Sequence, residues 1–321
     1  MRASTAVLIR GFTITPSLNP LLNSTEAGIY VWWNSYNCII TECILAYFND
    51  TSISRTYYGI RLSGTQCTAH RNTMKNNLFG ISLDGPQCTV YGNIIENNNY
   101  GVYSYRYDGN GDNIIYENTI TNNYMGVYCY HYLGNGNNLA KAYENDIINN
   151  DYGVYLYKST NNKFYHNNFV DNTQQVYLPT PGNANSWDNS VEGNYWSNYV
   201  GVDSQPNGIG DNPHVMDGSN QDNYPLMGMF SDFTATLECH VQTVCNSKIS
   251  DFQFSGTAVS FDVTGEDGTI GFCRVCIPHS LLGAPYTILV NGQPPLYVNY
   301  NLLDNGTHRW MYFTYEHSTK E

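Results

Sequence analysis

The chain has 321 residues and a formal net charge of −13, with 14 Lys and Arg residues against 27 Asp and Glu residues. A surface that binds nucleic acid needs a basic face to neutralise phosphates, so this balance argues against nucleic acid as a partner. Charged residues are 13% of the chain, about half the usual share, whereas 29 Tyr and 28 Gly residues are present. No apolar run is long enough to insert into a membrane.

The first half of the chain repeats a phrase of an aromatic residue or Met, then Gly, then Ile or Val. Its glycines are Gly59, Gly80, Gly101, Gly126 and Gly153, which gives a period of 21 to 27 residues. Eight residues before each later copy, the last of them degenerate, stands an asparagine: Asn72, Asn93, Asn118, Asn145 and Asn167. Such a period indicates a solenoid, and alternating β-branched and aromatic residues favour a parallel β-helix. We expect the asparagines to stack about 4.8 Å apart as a structural ladder.

Three regions follow one another along the chain. Residues 1–190 are predicted to be the coils, and residues 191–230, rich in Gly, Asn and Asp, are predicted to cap the last coil. Residues 231–321 alternate short strands with turn sequences, which is typical of a small antiparallel β-sandwich. The strands predicted there are 249–254, 258–263, 271–277, 286–290, 296–302 and 308–315. The predicted fold class is therefore all-β, a solenoid followed by a sandwich.

Tyrosines recur beside the glycine phrase on successive coils, on strand positions that point outward. They are Tyr103, Tyr105, Tyr107, Tyr128, Tyr130, Tyr132, Tyr155 and Tyr157. Outward aromatic side chains stack on sugar rings or fill protein interfaces. A third interpretation is a self-packed tyrosine ladder that only stabilises the coils.

A row of titratable residues precedes the ladder asparagines. Glu117, Glu144 and His166 should stack on neighbouring coils, where close groups shift each other's pKa and could act as acid and base. Such a row is more often a solvated face. The sequence leans against enzymatic activity and offers these residues as its only catalytic candidates.

One loop has the ligand types of a calcium site. The acidic loop 203–211 combines oxygen-bearing side chains and glycines in an order similar to that of calcium loops, and the candidate ligands are Asp203, Asn207, Asp211 and Asp217. The competing interpretation is a hydrogen-bonded cap without metal.

Cysteines and glycosylation sequons favour an extracellular or cell-surface location. Sequons occur at Asn23, Asn49 and Asn305. Four of the nine cysteines lie in the last region and could form two disulfides in any of three pairings: Cys239, Cys245, Cys273 and Cys276.

The phrase Asn-x-Ile-x-x-Asn-x-x-Gly-Val resembles the repeats of NosD-like, carbohydrate-binding and sugar-hydrolase-type right-handed β-helices. The segment Gly193-Asn-Tyr-Trp-Ser-Asn198, with Gly208-Ile-Gly-Asp211 after it, is similar to the end of such domains in archaeal surface proteins. The resemblance implies a right-handed parallel β-helix more firmly than any activity. It also suggests copper, for which His214, Met216, Met227 and Met229 are the soft donors.

Three functions remain open at this point. The leading hypothesis is a non-enzymatic extracellular structural protein that assembles with itself head to tail into a filament or surface layer, since a heterologous contact that does not close gives polymers. The alternative is a polysaccharide-binding or polysaccharide-processing module, lyase-like or epimerase-like, whose partners are surface glycans. A copper accessory protein is the least favoured.

Overall fold

The structure, a computed structural model, describes residues 6–15, 27–48, 57–107, 109–134 and 136–317. Two compact units divide the chain. The first comprises Met1–Asn198 and His214–Asn223, and the second comprises Tyr199–Pro213 and Tyr224–Glu321. Residues 191–230, the predicted cap, are thus divided between the units. In the described ranges every regular element is a β-strand.

The first unit is a parallel β-helix whose coils contribute one strand to each of three parallel sheets. The first sheet contains β1 (Leu8–Arg10), β4 (Ile39–Thr41), β7 (Thr68–His70), β10 (Thr89–Tyr91), β13 (Asn113–Tyr116), β16 (Leu139–Tyr143) and β19 (Phe164–Tyr165). The second contains β2 (Thr13–Ile14), β5 (Ile44–Ala46), β8 (Thr73–Lys75), β11 (Ile94–Glu96), β14 (Thr119–Thr121), β17 (Asp146–Ile148), β20 (Asn168–Val170) and β22 (Tyr195–Trp196). The third contains β3 (Ala27–Val31), β6 (Tyr58–Leu62), β9 (Phe79–Leu83), β12 (Tyr100–Arg106), β15 (Met125–His131), β18 (Tyr152–Tyr157) and β21 (Gln174–Tyr177).

The repeated phrase forms the third sheet. Val102 pairs with Ile81 on one side and Val127 on the other, and all three side chains are buried. The glycine before each aliphatic residue allows the next coil to approach closely. A Cβ atom on Gly80 would lie 2.7 Å from the carbonyl oxygen of Gly101. Any side chain at this position would therefore separate the coils.

In the part of the coils that the structure describes, three asparagine ladders, rather than the single predicted one, line the corners. In the predicted ladder, Asn93 receives a backbone hydrogen bond from Asn72 and donates one to Asn118. The second ladder lies five residues further along each coil and consists of Asn77, Asn98, Asn123, Asn150 and Asn172. The third contains Asn113, Asn138, Asn162, Asn185 and Asn220, with the buried thiols of Cys38, Cys67 and Cys88 in the earlier coils. The buried side-chain amides thus form hydrogen bonds with backbone groups at the bends, which the strand pairing of the three sheets leaves without partners.

The predicted ladder ends at a carboxylate instead of another amide. Asn167 donates to Asn194, and Asn194 donates its backbone N–H to Asp222 Oδ2 at 2.7 Å. The indole N–H of Trp196 reaches the same oxygen at 2.9 Å. Asp222 lies on the short hairpin β23 (His214–Asp217) and β24 (Asn220–Asp222). This hairpin therefore supplies the last acceptors of the stack.

The second unit is antiparallel. Its five-stranded sheet runs in the order β25 (Met229–Thr234), β26 (His240–Cys245), β29 (Ile270–Pro278), β31 (His308–Glu316) and β30 (Tyr297–Asp304). A two-stranded sheet, β27 (Lys248–Phe254) and β28 (Val259–Thr264), packs Ile249, Val259 and Phe261 against the buried face of the larger sheet. The two antiparallel sheets confirm the antiparallel fold that the sequence predicted for this region.

One strand predicted in this unit is wrong. Residues 286–290 alternate half-buried and exposed side chains as a strand would, but they contain only an isolated bridge between Val290 and Gln293. The Ile288 N–H donates to the side-chain hydroxyl of Tyr300 instead of to the backbone of a neighbouring strand. Alternation reports which side chains face the core and does not show that a partner strand exists.

Candidate functional site: the aromatic face of the third sheet

The eight predicted tyrosines share the outward face of the third sheet, which we call the tyrosine face. They form three rows across the coils: Tyr103, Tyr128 and Tyr155; Tyr105, Tyr130 and Tyr157; Tyr107 and Tyr132. Ring centroids along a row lie between 4.9 and 5.4 Å apart. Tyr177 extends the first row by one coil, 4.9 Å from Tyr155. The register of the strands therefore gathers every tyrosine that the sequence singled out.

Most of these rings are half-buried against one another, and one pair stands clear. Tyr107 and Tyr132 are 56% and 46% exposed, and their rings stack 4.9 Å apart at 15°. Burial, reinforced by the neighbouring phenols, raises the pKa of both Tyr103 and Tyr128. These two phenols are therefore neutral across the physiological pH range. The rows form an apolar floor, and the exposed pair offers a ring face to a ligand.

The same face becomes charged on the earlier coils. The Arg61 Nε lies 2.6 Å from Asp84 Oδ2, and the guanidinium sits over Tyr30 and Tyr58 at 5.0 and 4.9 Å from the ring centroids. Ser82 donates its hydroxyl to Asp84 at 2.6 Å. Arg61 and Ser82 occupy the first tyrosine row on their coils, since Arg61 pairs with Ser82 and Ser82 with Tyr103. The tyrosine face thus combines aromatic rings with the guanidinium of Arg61 and the carboxylate of Asp84.

A second aromatic column, missed from the sequence, lines the first sheet. Its members lie two residues before each ladder asparagine and are His70, Tyr91, Tyr116, Tyr143 and Tyr165. Neighbouring rings are stacked and nearly parallel. The ring centroids of Tyr91 and Tyr116, for example, are 4.8 Å apart, and the angle between the ring planes is 5°. Burial, with Tyr91 and two nearby carboxylates, raises the pKa of Tyr116 to about 12. The constant offset from the asparagines was the signal that could have found this column.

The structure brings two of the three acid–base candidates together and adds a third group. The His166 Nε2 lies 2.9 Å from Glu192 Oε2, and the Nδ1 lies 3.9 Å from Glu144 Oε1. Burial lowers the pKa of His166, but the two carboxylates outweigh it, so the pKa is raised. Glu117 holds the same left-handed bend position as Glu144, one coil earlier. Glu192 stands 26 residues from His166 and outside the repeat, which is why spacing did not reveal it. Acid–base catalysis by this enclosed cluster stays a prediction.

The family model of the periplasmic copper-binding protein (NosD) matches residues 10–201, more than half of the chain. The chain belongs to the NosD family. This membership agrees with the right-handed β-helix that the repeats implied.

Among solved structures, this NosD-family chain is similar to the Dettilon tailspike protein (gp208) at 14% identity and a TM-score of 0.37. That similarity covers 96% of this chain and 72% of the tailspike chain. No curated protein matches. A helix long and apolar enough to cross a membrane does not occur in the described ranges.

Three of the predicted calcium ligands, Asp203, Asn207 and Asp211, use side-chain oxygens to accept backbone N–H groups of their own loop. Asp203 uses its carboxylate to accept the backbone N–H groups of Asn207 and Gly208, at 2.9 and 2.7 Å. Asp211 likewise accepts a backbone N–H of this loop, whereas Asp217 belongs to the other compact unit. Among the residues that the structure describes, no group of three or more His, Cys, Asp or Glu is placed to hold a metal ion. Calcium binding by these four residues stays a prediction.

The cysteines of the second unit differ in their ability to pair. All four are free thiols in the structure. Cys245 lies directly opposite Cys273 on neighbouring antiparallel strands, a separation that suits a disulfide. A hydrogen bond with Cys273, working against burial, lowers the pKa of Cys245 to about 7. Since Gln242 faces Cys276, Cys239 stands three register positions away from Cys276. Disulfide formation stays a prediction, and the register favours the Cys245–Cys273 pairing.

Of the three predicted glycosylation sites, one lies among the residues that the structure describes. Asn305 is exposed, and its side-chain oxygen accepts the backbone N–H groups of Thr307 and His308. Asn23 and Asn49 lie outside the described residues. Glycosylation at all three positions stays a prediction.

Proposed function

We propose that this NosD-family protein binds an extended polysaccharide along the tyrosine face of its β-helix. The observation that carries the proposal is the stacked and exposed pair Tyr107 and Tyr132, at the outer edge of rows whose other rings are already packed. Ring faces of this kind stack on the apolar faces of sugars. An extracytoplasmic location is part of the proposal, and the periplasmic description of the family supports it.

The polar end of the tyrosine face supplies hydrogen-bonding groups, which ring stacking does not provide. Sugar hydroxyls need directed donors and acceptors, and a few fixed polar groups beside aromatic side chains orient such ligands. Asp84 is held in place by Arg61 and by Ser82, so its carboxylate is positioned before any ligand arrives. A chain lying across the coils would meet Tyr132 and Tyr107 first and the Arg61–Asp84 pair further along the stack.

Glycan-array binding followed by calorimetry tests the proposal on the intact chain. The double variant Tyr107→Ala and Tyr132→Ala should weaken binding at least about tenfold, which corresponds to about 1.4 kcal/mol. Its unfolding temperature should change little because both rings are exposed. The matched control is Tyr36→Ala, since Tyr36 is similarly exposed but lies outside the third sheet. Absence of any array signal, or equal affinity of the double variant and the control, would reject the tyrosine face as a glycan site.

A structural surface role without glycan is the second candidate. The self-packing of the rows supports it, because aromatic pairs contribute about 0.5–1.5 kcal/mol each beyond their buried area. In this version the tyrosine face stabilises the coils, and head-to-tail self-assembly is the proposed mode. Sedimentation and electron microscopy of concentrated protein test it, and a monodisperse monomer without polymers would dismiss the assembly. A lyase-like or epimerase-like activity is tested by the release of unsaturated sugars in the same glycan screen.

Copper, which the family description names, has no fitting set of donors among the residues that the structure describes. His214 packs its ring on Trp196 at 4.7 Å, and burial lowers its pKa. Met216 belongs to the same unit as His214, whereas Met227 and Met229 belong to the other. In the described part of the chain, the nitrogen, thiol and carboxylate donors form no group placed for a metal. We therefore derive no copper chemistry for this protein.

A further inference from the structure

The strand β28 of the second unit has a free edge. It pairs with β27, Val263 opposite Ile249 and Val259 opposite Phe254. In the described ranges no other strand joins this two-stranded sheet. The edge that faces away from β27 therefore presents main-chain N–H and C=O groups without a strand partner, which is the feature that strand addition uses.

An apolar cleft runs along this edge. Its volume is about 790 Å³, and its lining includes every residue from Thr257 to Gly265 but none of β27, which places it on the outer side of β28. The core residues Val275, Ile277, Met311 and Phe313 of β29 and β31 form its floor. Since strands lie about 4.8 Å apart and packed sheets about 10 Å, this volume corresponds to about five residues of one extended strand.

A second stretch of backbone, without a strand partner of its own, also lines the cleft. It consists of the segment 285–291, in which Tyr286, Ile288 and Val290 turn half-buried side chains toward the core. This is the segment that has the alternation of a strand and lacks a strand partner. A free strand edge above an apolar floor suits an incoming strand better than a compact small molecule, which side chains would have to enclose.

The charges of the lining indicate the chemistry of the partner. Asp262, Asp267 and Glu316 line the cleft, and none of its lining residues is Lys or Arg. An acidic rim favours a basic ligand by electrostatic complementarity. We infer that β28 binds a basic, extended peptide segment of another polypeptide as an added strand, with alternate apolar side chains entering the cleft.

Peptide binding to the intact chain tests this inference. The probe is a fluorescent peptide, Lys-Val-Thr-Val-Thr-Val-Lys, titrated by anisotropy. Replacing its two lysines by glutamates should weaken binding about tenfold, because the rim is acidic. Replacing two adjacent central residues by prolines should weaken it by about the same factor or more, because the N–H donors are lost. Hydrogen exchange should show new protection of the amides from residue 258 to 264 on binding.

A matched pair of protein variants locates the site. Ile288→Glu places a charge toward the cleft, whereas Leu289→Glu places one on a side chain that is 58% exposed. Ile288→Glu should weaken the affinity for the peptide probe about tenfold, and Leu289→Glu should leave it within about twofold of the wild-type value. Equal binding of the proline peptide would overturn the inference. So would an apolar dye that occupies the cleft while the lysine peptide neither displaces it nor protects β28, because the cleft would then be a small-molecule pocket.

Discussion

Asn118 illustrates at the scale of one residue how a coil is held to its neighbours. Its Nδ2 donates to the carbonyl oxygens of Val90 and Tyr116, at 3.0 and 2.8 Å, and to Asn145 Oδ1 at 2.9 Å. Its Oδ1 accepts from the backbone and side-chain nitrogens of Asn93. One buried amide therefore satisfies groups on three coils.

Asn118→Ala should lower the free energy of unfolding by about 3 kcal/mol, because buried backbone groups lose partners that water cannot replace. Chemical denaturation of the intact chain measures the change. Asn99→Ala is the matched control, since Asn99 is exposed on a neighbouring coil and its loss should cost less than about 0.5 kcal/mol. Similar losses for the two variants would mean that the ladders contribute little beyond chain geometry.

His166 makes the stability of the first unit depend on pH. Its pKa is raised in the folded state by Glu144 and Glu192, against the effect of burial. The stabilisation is therefore complete below the ordinary histidine pKa, about 6.5, and is lost as pH rises through the folded-state pKa. His166→Gln should flatten this decline in melting temperature above about pH 6.5.

His70 provides a control of opposite sign. Burial and the charge of Arg71 lower the pKa of His70, so its contribution is present above the ordinary pKa and is lost as pH falls. His70→Gln should therefore alter the acid side of the melting profile and leave the decline above pH 7 unchanged. If His166→Gln keeps the wild-type decline, the ion cluster does not govern it.

At the scale of single elements, the recurring glycine sets the spacing of the third sheet. A Cβ on Gly126 would lie 2.6 Å from the Gly153 carbonyl oxygen, which belongs to the backbone of the next coil. Gly126→Ala should cost about 3 kcal/mol through overpacking. Gly218→Ala is the control, because nothing lies within 4 Å of its added methyl group. Denaturation midpoints that match for the two variants would contradict the close-approach explanation.

The sequence predicted the elements that repeat and missed those that meet only through the fold. The eight-residue interval between Asn93 and Gly101 predicted coil, ladder and outward tyrosines, because stacking converts equal spacing into contact. Glu192 and Asp222 lie outside the repeat, so no interval pointed to His166 or Asn194 as their partners. The segment 286–290 shows the converse, since a correct pattern of alternation does not supply a neighbouring strand.

At the scale of the whole molecule, each compact unit has its own core. The first depends on ladders that end at Asp222, and the second on a sheet whose buried face includes Val275, Cys245 and Phe313. Separate cores allow separate cooperative transitions. Calorimetry should therefore resolve two transitions, each sensitive to substitutions in one unit only.

Asp222→Ala and Val275→Ala assign the two transitions. Removing Asp222 leaves the N–H groups of Asn194 and Trp196 without their acceptor, which should cost about 3 kcal/mol and lower only the first unit's transition. Val275→Ala opens a cavity in the second core and should lower only the other. Asp222→Asn keeps an acceptor oxygen and should cost less than Asp222→Ala. A single transition that both alanine variants shift equally would show that the units unfold as one, and the ladders and the sandwich would then share one cooperative core.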